Sequence, residues 1–249
     1  KSEYLMFTDA DCILNENHYQ LALEYLNKNN SDMLLGAVDI ADEKGIFNII
    51  EKIEFASLQA VTAYTALFNN PIMCNGANLI IRRTIYLEYI NNINTSIASG
   101  DDMFMLHALK KNNAKINYLY NSNYLVKTKG TNSLKKFLLQ RTRWAAKSIN
   151  YKDITTISIA LLVVIINIFL LISLFLFPFS FFPVSYSLFI AIFIIENIII
   201  LPYLIKYKQY KVLKYYPIVF PIMAILYPLY ILIILFLIPF YKKNNPHWK

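Results

Sequence analysis

Up to about residue 130 the chain alternates between short apolar runs and amphipathic stretches, and beyond it long apolar runs take over. Residues 3–8 are short, partly apolar and β-prone, which predicts a strand ending at Asp9. Residues 17–29 set Leu21, Leu23, Tyr25 and Leu26 among polar positions and close on Asn and Lys, the pattern of a helix and its stop. A buried-type strand is predicted over 33–38. A long helix follows over 49–68, with Phe55, Leu58, Val61, Tyr64 and Leu67 along it. Residues 78–81 predict a strand, 101–111 a helix, and 115–120 and 124–127 two short strands. Strands alternating with helices predict an α/β layered domain with a mainly parallel sheet.

From residue 132 the pattern changes. Over 132–150, Leu134, Phe137, Leu138, Trp144 and Ala145 alternate with Lys135, Lys136, Arg141, Arg143 and Lys147. That is the profile of a helix lying on a membrane surface. Residues 154–177 and 215–241 then run without a charge, and 184–205 carry one, Glu196. Each run exceeds the roughly 20 residues that cross a bilayer. The third holds Pro217, Pro221 and Pro228, so it reads either as a kinked helix or as a hairpin. The division is therefore residues 1–131, then 132–152, then 153–249.

Charge sharpens this division. Residues 1–126 carry 9 Lys/Arg against 14 Asp/Glu, residues 127–152 carry 8 basic residues and no acid, and residues 153–249 carry 7 against 2. The formal net charge of +8 is thus a local stripe beside the apolar spans plus loop charges. Such a stripe suits anionic lipid headgroups. No basic module with base-stacking aromatics appears elsewhere, so no nucleic-acid partner is expected. Lysines flank the first span and fill 206–214, while the loop between the first two spans has none. The positive-inside rule places residues 1–152 in the cytoplasm of a multi-pass protein of the cell membrane. Cys12 and Cys74 make neither a disulfide framework nor a zinc site and read as reduced. A weak hint of an AT-rich, bacterial genome lies in the abundance of Asn, Ile, Lys and Tyr.

Four short segments carry the candidate chemistry. Asp9-Ala10-Asp11 falls where a strand ends, the edge at which open α/β sheets bind ligands. Two carboxylates so spaced suit a hard divalent cation with diphosphate oxygens as co-ligands. A phosphatase of the haloacid dehalogenase type also carries Asp-x-Asp after a strand, but it wants Thr or Val where Ile13 stands. Asp101-Asp102 opens a helix, where the dipole favours acids. Two adjacent carboxylates raise one pKa, which suits a general base. Gln140-x-x-Arg143-Trp144 shares one helical face by its offsets of three and four. Arg suits diphosphate oxygens, and Trp offers an apolar platform for a sugar ring. Gly76-Ala77-Asn78 reads as a tight turn into a strand.

These four segments, in this order and ahead of three spans, resemble the membrane-embedded family 2 glycosyltransferases, the group with cellulose and hyaluronan synthases and ceramide glucosyltransferases. The resemblance covers residues 3–241. It implies an α/β fold, a partial GT-A domain followed by an amphipathic interface helix and about three transmembrane helices, with the first nucleotide-binding half lying upstream of Lys1. It implies inverting transfer from a nucleotide-diphospho-sugar, a UDP-sugar foremost, to a polysaccharide acceptor. A lipid acceptor is the alternative within the class, and an inactive scaffold the alternative outside it. By resemblance Asp11, with Asp9, holds Mg²⁺ or Mn²⁺. Asp9, Arg143 and Arg141 face the donor, and Gln140, Trp144, Gly76, Ala77 and Asn78 face the acceptor. Asp102 is the base beside Asp101, which replaces the commoner Glu.

Overall fold

The computed structural model describes residues 2–90, 101–176 and 182–244. In chain order they form β1 (Tyr4–Phe7), α1 (His18–Asn29), β2 (Met33–Gly36), β3 (Val38–Ile40), α2 (Ile46–Leu67), β4 (Leu79–Arg82), α3 (Arg83–Tyr89), α4 (Asp101–Lys111), β5 (Ile116–Leu119), β6 (Val126–Thr128), α5 (Leu134–Ser148), α6 (Ile154–Leu176), α7 (Phe182–Lys206) and α8 (Tyr210–Asn244).

The main sheet runs β1-β4-β2-β5, and β3 and β6 make a separate parallel pair. The sheet is mixed, which corrects the mainly parallel expectation: β4 lies antiparallel to both β1 and β2, and only β2 and β5 run parallel. The reversal starts in the 3₁₀ turn Gly76–Asn78 that feeds β4. The single strand expected over 33–38 is also divided. A Cβ on Gly36 would lie 2.3 Å from the Asn78 amide and 2.5 Å from the Tyr124 ring. A residue without a side chain lets the backbone pass there and switch sheets. Helix α3 was not foreseen.

Period-2 alternation sorts the sheet's faces. Leu34 and Ile80 point to α1, meeting Ala22 and Leu26. Met33, Leu35, Leu79 and Ile81 point the other way, into the larger core. That core takes in α2 and α4 and continues through Ile200, Tyr203 and Leu204 of α7 to Val212, Tyr216 and Phe220 of α8. One apolar interior therefore joins the sheet to the ends of the long helices.

Stretches of α6, α7 and α8 are long and apolar enough to cross a membrane, and the three pack pairwise on one another. The third expected span is one helix of 35 residues with four prolines inside it. The hairpin alternative is not what the chain adopts. α7 ends at Lys206 and α8 starts at Tyr210, so Lys211 and Lys214 belong to the first turns of α8. The Asn197 amide, next to Glu196 on α7, donates to the Phe193 carbonyl at 2.7 Å.

Two polar junctions fix the layers. Lys52 of α2 donates to Asp39 and Asp42 at 2.9 Å each and to the Ile40 carbonyl at 2.7 Å, tying α2 to β3. Lys110 of α4 meets Asp153 at 2.8 Å, and Asp153 accepts from the Thr156 amide at 2.9 Å, capping α6.

Candidate active site

A cleft of about 880 Å³ opens where β1, the turn Gly76–Asn78, α4 and α5 converge, and Asp9, Asp11, Gly76, Asp102, Gln140, Arg143 and Trp144 all line it. Side chains separated by more than 130 positions in the chain thus share one wall-to-wall space.

Asp9 and Asp11 sit on the turn that leaves β1. The turn is closed by the Cys12 amide donating to the Asp9 carbonyl at 3.1 Å. It is clamped by a two-way backbone bridge between Ile13 and Lys127 at 2.7 and 3.0 Å. The Thr128 hydroxyl donates to Asp11 at 3.2 Å. Ligand atoms of Asp9, Asp11 and Cys12 lie within 4.8 Å of one another. Burial, with the charges of Asp11 and Asp9 added, pushes the Cys12 thiol up. Asp9 and Asp11 are exposed and supply the oxygen donors of this group. Such a set fits a hard, oxygen-seeking divalent cation.

Asp102 stands in the first turn of α4. Its carboxylate accepts from the Gly76 amide at 3.0 Å and from its own helix at the Met103 amide at 2.9 Å. Cys74, Met103 and Tyr151 line the cleft with it. Burial and the charge of Asp102 push the thiol of Cys74 well up, and the same two causes raise the Tyr151 hydroxyl. A carboxylate held by amide donors keeps an oriented lone pair for a proton. The side chain of Asp101 lies outside the described residues, and only its place at the start of α4 is established.

Ser133 caps α5, accepting from the Lys136 amide at 3.3 Å. The helix packs on α8, and its polar face turns Gln140, Arg143 and Trp144 to the cleft. The Arg143 Nε is buried there with no hydrogen-bond partner. An unpaired buried donor is costly.

Two expected site residues are engaged elsewhere. The guanidinium of Arg141 is 4% exposed and forks onto Glu54 of α2, with Nε at 2.9 and 3.0 Å and Nη2 at 2.5 Å from its carboxylate oxygens. Arg141 still borders the cleft with its charge paired to Glu54, whereas Arg143 makes no ion pair among the described residues. Asn78 is 1% exposed and its amide donates to the Ala37 and Tyr124 carbonyls at 2.9 Å each. It holds the strand switch at Gly36 and does not line the cleft. Ala77 is buried at the cleft wall among Val38, Ile40, Phe55 and Val126. The pattern reading missed Glu54. Its one available signal was the trio Glu51, Lys52 and Glu54 inside a helix with no other charge. His107, half-buried, packs edge-on against Tyr151, and burial lowers its pKa, which keeps it neutral and structural.

A family model described as "Glycosyl transferase family group 2" matches residues 4–241. No curated protein matches the chain.

Proposed function

The chain belongs to the family 2 glycosyltransferases, and on that premise we propose that it moves a sugar, with inversion, from a nucleotide-diphospho-sugar to a saccharide acceptor at the cytoplasmic face of a membrane. The observation that carries this reading is the single cleft lined by Asp9, Asp11, Asp102, Gln140, Arg143 and Trp144. In it Asp11, with Asp9, would hold Mg²⁺ or Mn²⁺, which supplies charge for the departing nucleoside diphosphate. Arg143, which lines the cleft, binds diphosphate oxygens with its guanidinium. Asp102 takes the proton from the acceptor hydroxyl as that oxygen bonds to the anomeric carbon. The Gly76 and Met103 amides orient its carboxylate. Gln140 and Trp144 orient the acceptor, the indole as a platform for the sugar ring.

A lipid acceptor is the second reading, favoured by one feature. Beyond Asp102 the cleft is lined by Met73, Cys74, Met103 and Tyr151, close to where α6 begins. An acceptor with an apolar part fits that wall.

The test uses the full-length protein in membranes with a panel of UDP- and GDP-sugars and Mn²⁺ or Mg²⁺, following nucleoside diphosphate release and product size. Metal-dependent release from one donor is expected. A ladder or polymer supports the saccharide acceptor, whereas a single glycolipid supports the second reading. No release from any donor, with lipid and oligosaccharide acceptors both present, would mean a scaffold without turnover.

A further inference from the structure

The buried pair beneath α5 has a direction that helix packing alone does not require. Glu54 is 5% exposed, and beyond its two-oxygen grip on Arg141 it accepts a hydrogen bond from the Tyr230 hydroxyl of α8 at 3.1 Å. Arg141 in turn reaches two cleft residues. Its Nη1 donates to the Gln140 side-chain oxygen, and its guanidinium carbon lies 4.4 Å from the Trp144 ring centre. Phe55, next to Glu54 on α2, stands 6.1 Å from the same indole. Phe137 bridges back to Tyr230 at 5.8 Å. Burying two charges is expensive, and an apolar pair of similar volume would hold α2 against α5 as well. What a carboxylate and a guanidinium supply instead is orientation, because a forked, planar cation fixes its face and its remaining donor together. Here the face is under Trp144 and the remaining donor is on Gln140.

We propose that Glu54 and Tyr230 are positioning residues for the acceptor platform: by fixing Arg141, they make the placement of Gln140 and Trp144 depend on the seating of the membrane helix α8. This rests on the reading of Gln140 and Trp144 as acceptor-binding. The third apolar helix thereby takes part in acceptor affinity without touching the acceptor.

The experiment compares Glu54→Gln, Tyr230→Phe and Trp144→Ala in the full-length protein in membranes, measuring acceptor and donor KM separately. It adds Trp144 emission in a Trp248→Phe background, where Trp144 is the remaining tryptophan of the 249 residues. Glu54→Gln should raise acceptor KM about tenfold, the loss of one charged hydrogen bond, with donor KM within about twofold. Tyr230→Phe keeps the ring and the fold and should raise acceptor KM about threefold, so it decides the matter if Glu54→Gln does not accumulate. Both should shift Trp144 emission. If Trp144→Ala raises acceptor KM while Tyr230→Phe and any folded Glu54→Gln leave both acceptor KM and the emission unchanged, or shift donor and acceptor KM alike, the positioning role is overturned and the pair is packing only. If Trp144→Ala leaves acceptor KM unchanged, the platform reading itself fails and this proposal falls with it.

Discussion

Arg141 and Arg143 stand two residues apart on α5 and both border the cleft, but Arg141 is also held from beneath the helix by Glu54 of α2. Beneath, Arg141 is enclosed by Glu54 and by the rings of Phe55, Phe137 and Trp144. Above, Arg143 Nε has no hydrogen-bond partner, and the acids Asp9 and Asp11 lie exposed across the same cleft. The same side-chain chemistry serves two ends. Charges that meet inside the protein fix geometry, and charges left open toward a cleft keep their interaction energy for a ligand. A motif that contains both kinds cannot be read as one uniform binding patch.

The contrast breaks most sharply at the base. Asp102→Asn should lower turnover by roughly 10²- to 10⁴-fold while leaving donor binding nearly intact, read by single-turnover transfer beside nucleotide-sugar titration. Retained turnover would remove the base from Asp102 and leave the cleft a binding surface. Beneath α5 the corresponding experiment reads stability. Arg141→Met strands a buried carboxylate and should cost about 3–5 kcal/mol, seen as a lowered unfolding midpoint in detergent, whereas adding Glu54→Leu should recover much of it. A double variant no more stable than the single one would mean the pair is not coupled.

Arg143→Met sharpens the comparison from the other side. It should raise donor KM by about tenfold and leave the unfolding midpoint within about 1 kcal/mol of the parent. A large stability loss there would place Arg143 with Arg141 in the structural layer. The smallest effect belongs to the junction of α4 and α6. Burial pulls the Asp153 carboxyl up, but the bonds from Lys110 and Thr156 outweigh it and hold it below its ordinary value of 3.8. A depressed folded pKa contributes stability that is complete above the unfolded value and lost as pH falls through the folded one. Acid unfolding should therefore lose roughly 1 kcal/mol or less below about pH 4, and Asp153→Asn should flatten that limb.

The fold was legible where burial imposes a period. The alternation of Leu34 and Ile80 against Met33, Leu35, Leu79 and Ile81 follows from a two-faced sheet, and the long apolar runs became long helices. Strand direction was not legible, because an antiparallel and a parallel strand bury the same residues; β4 reverses only through the turn at Gly76. Within the site, Asp9, Asp11, Asp102, Gln140, Arg143 and Trp144 were chosen from spacing and the family resemblance together, and they line one cleft. Arg141 and Asn78 were assigned by the resemblance; Arg141 borders the cleft while pairing with Glu54, and Asn78 turns inward.

By itself, then, the chain determined its periodic elements, its three apolar helices and the residue types able to do glycosyl transfer, since these depend on local spacing and solubility in water or lipid. Only the tertiary structure decided which of two neighbouring arginines is paired with a buried carboxylate. That choice depends on a carboxylate 87 positions away, Glu54, and on a hydroxyl of α8, and no local pattern carries the distance between them.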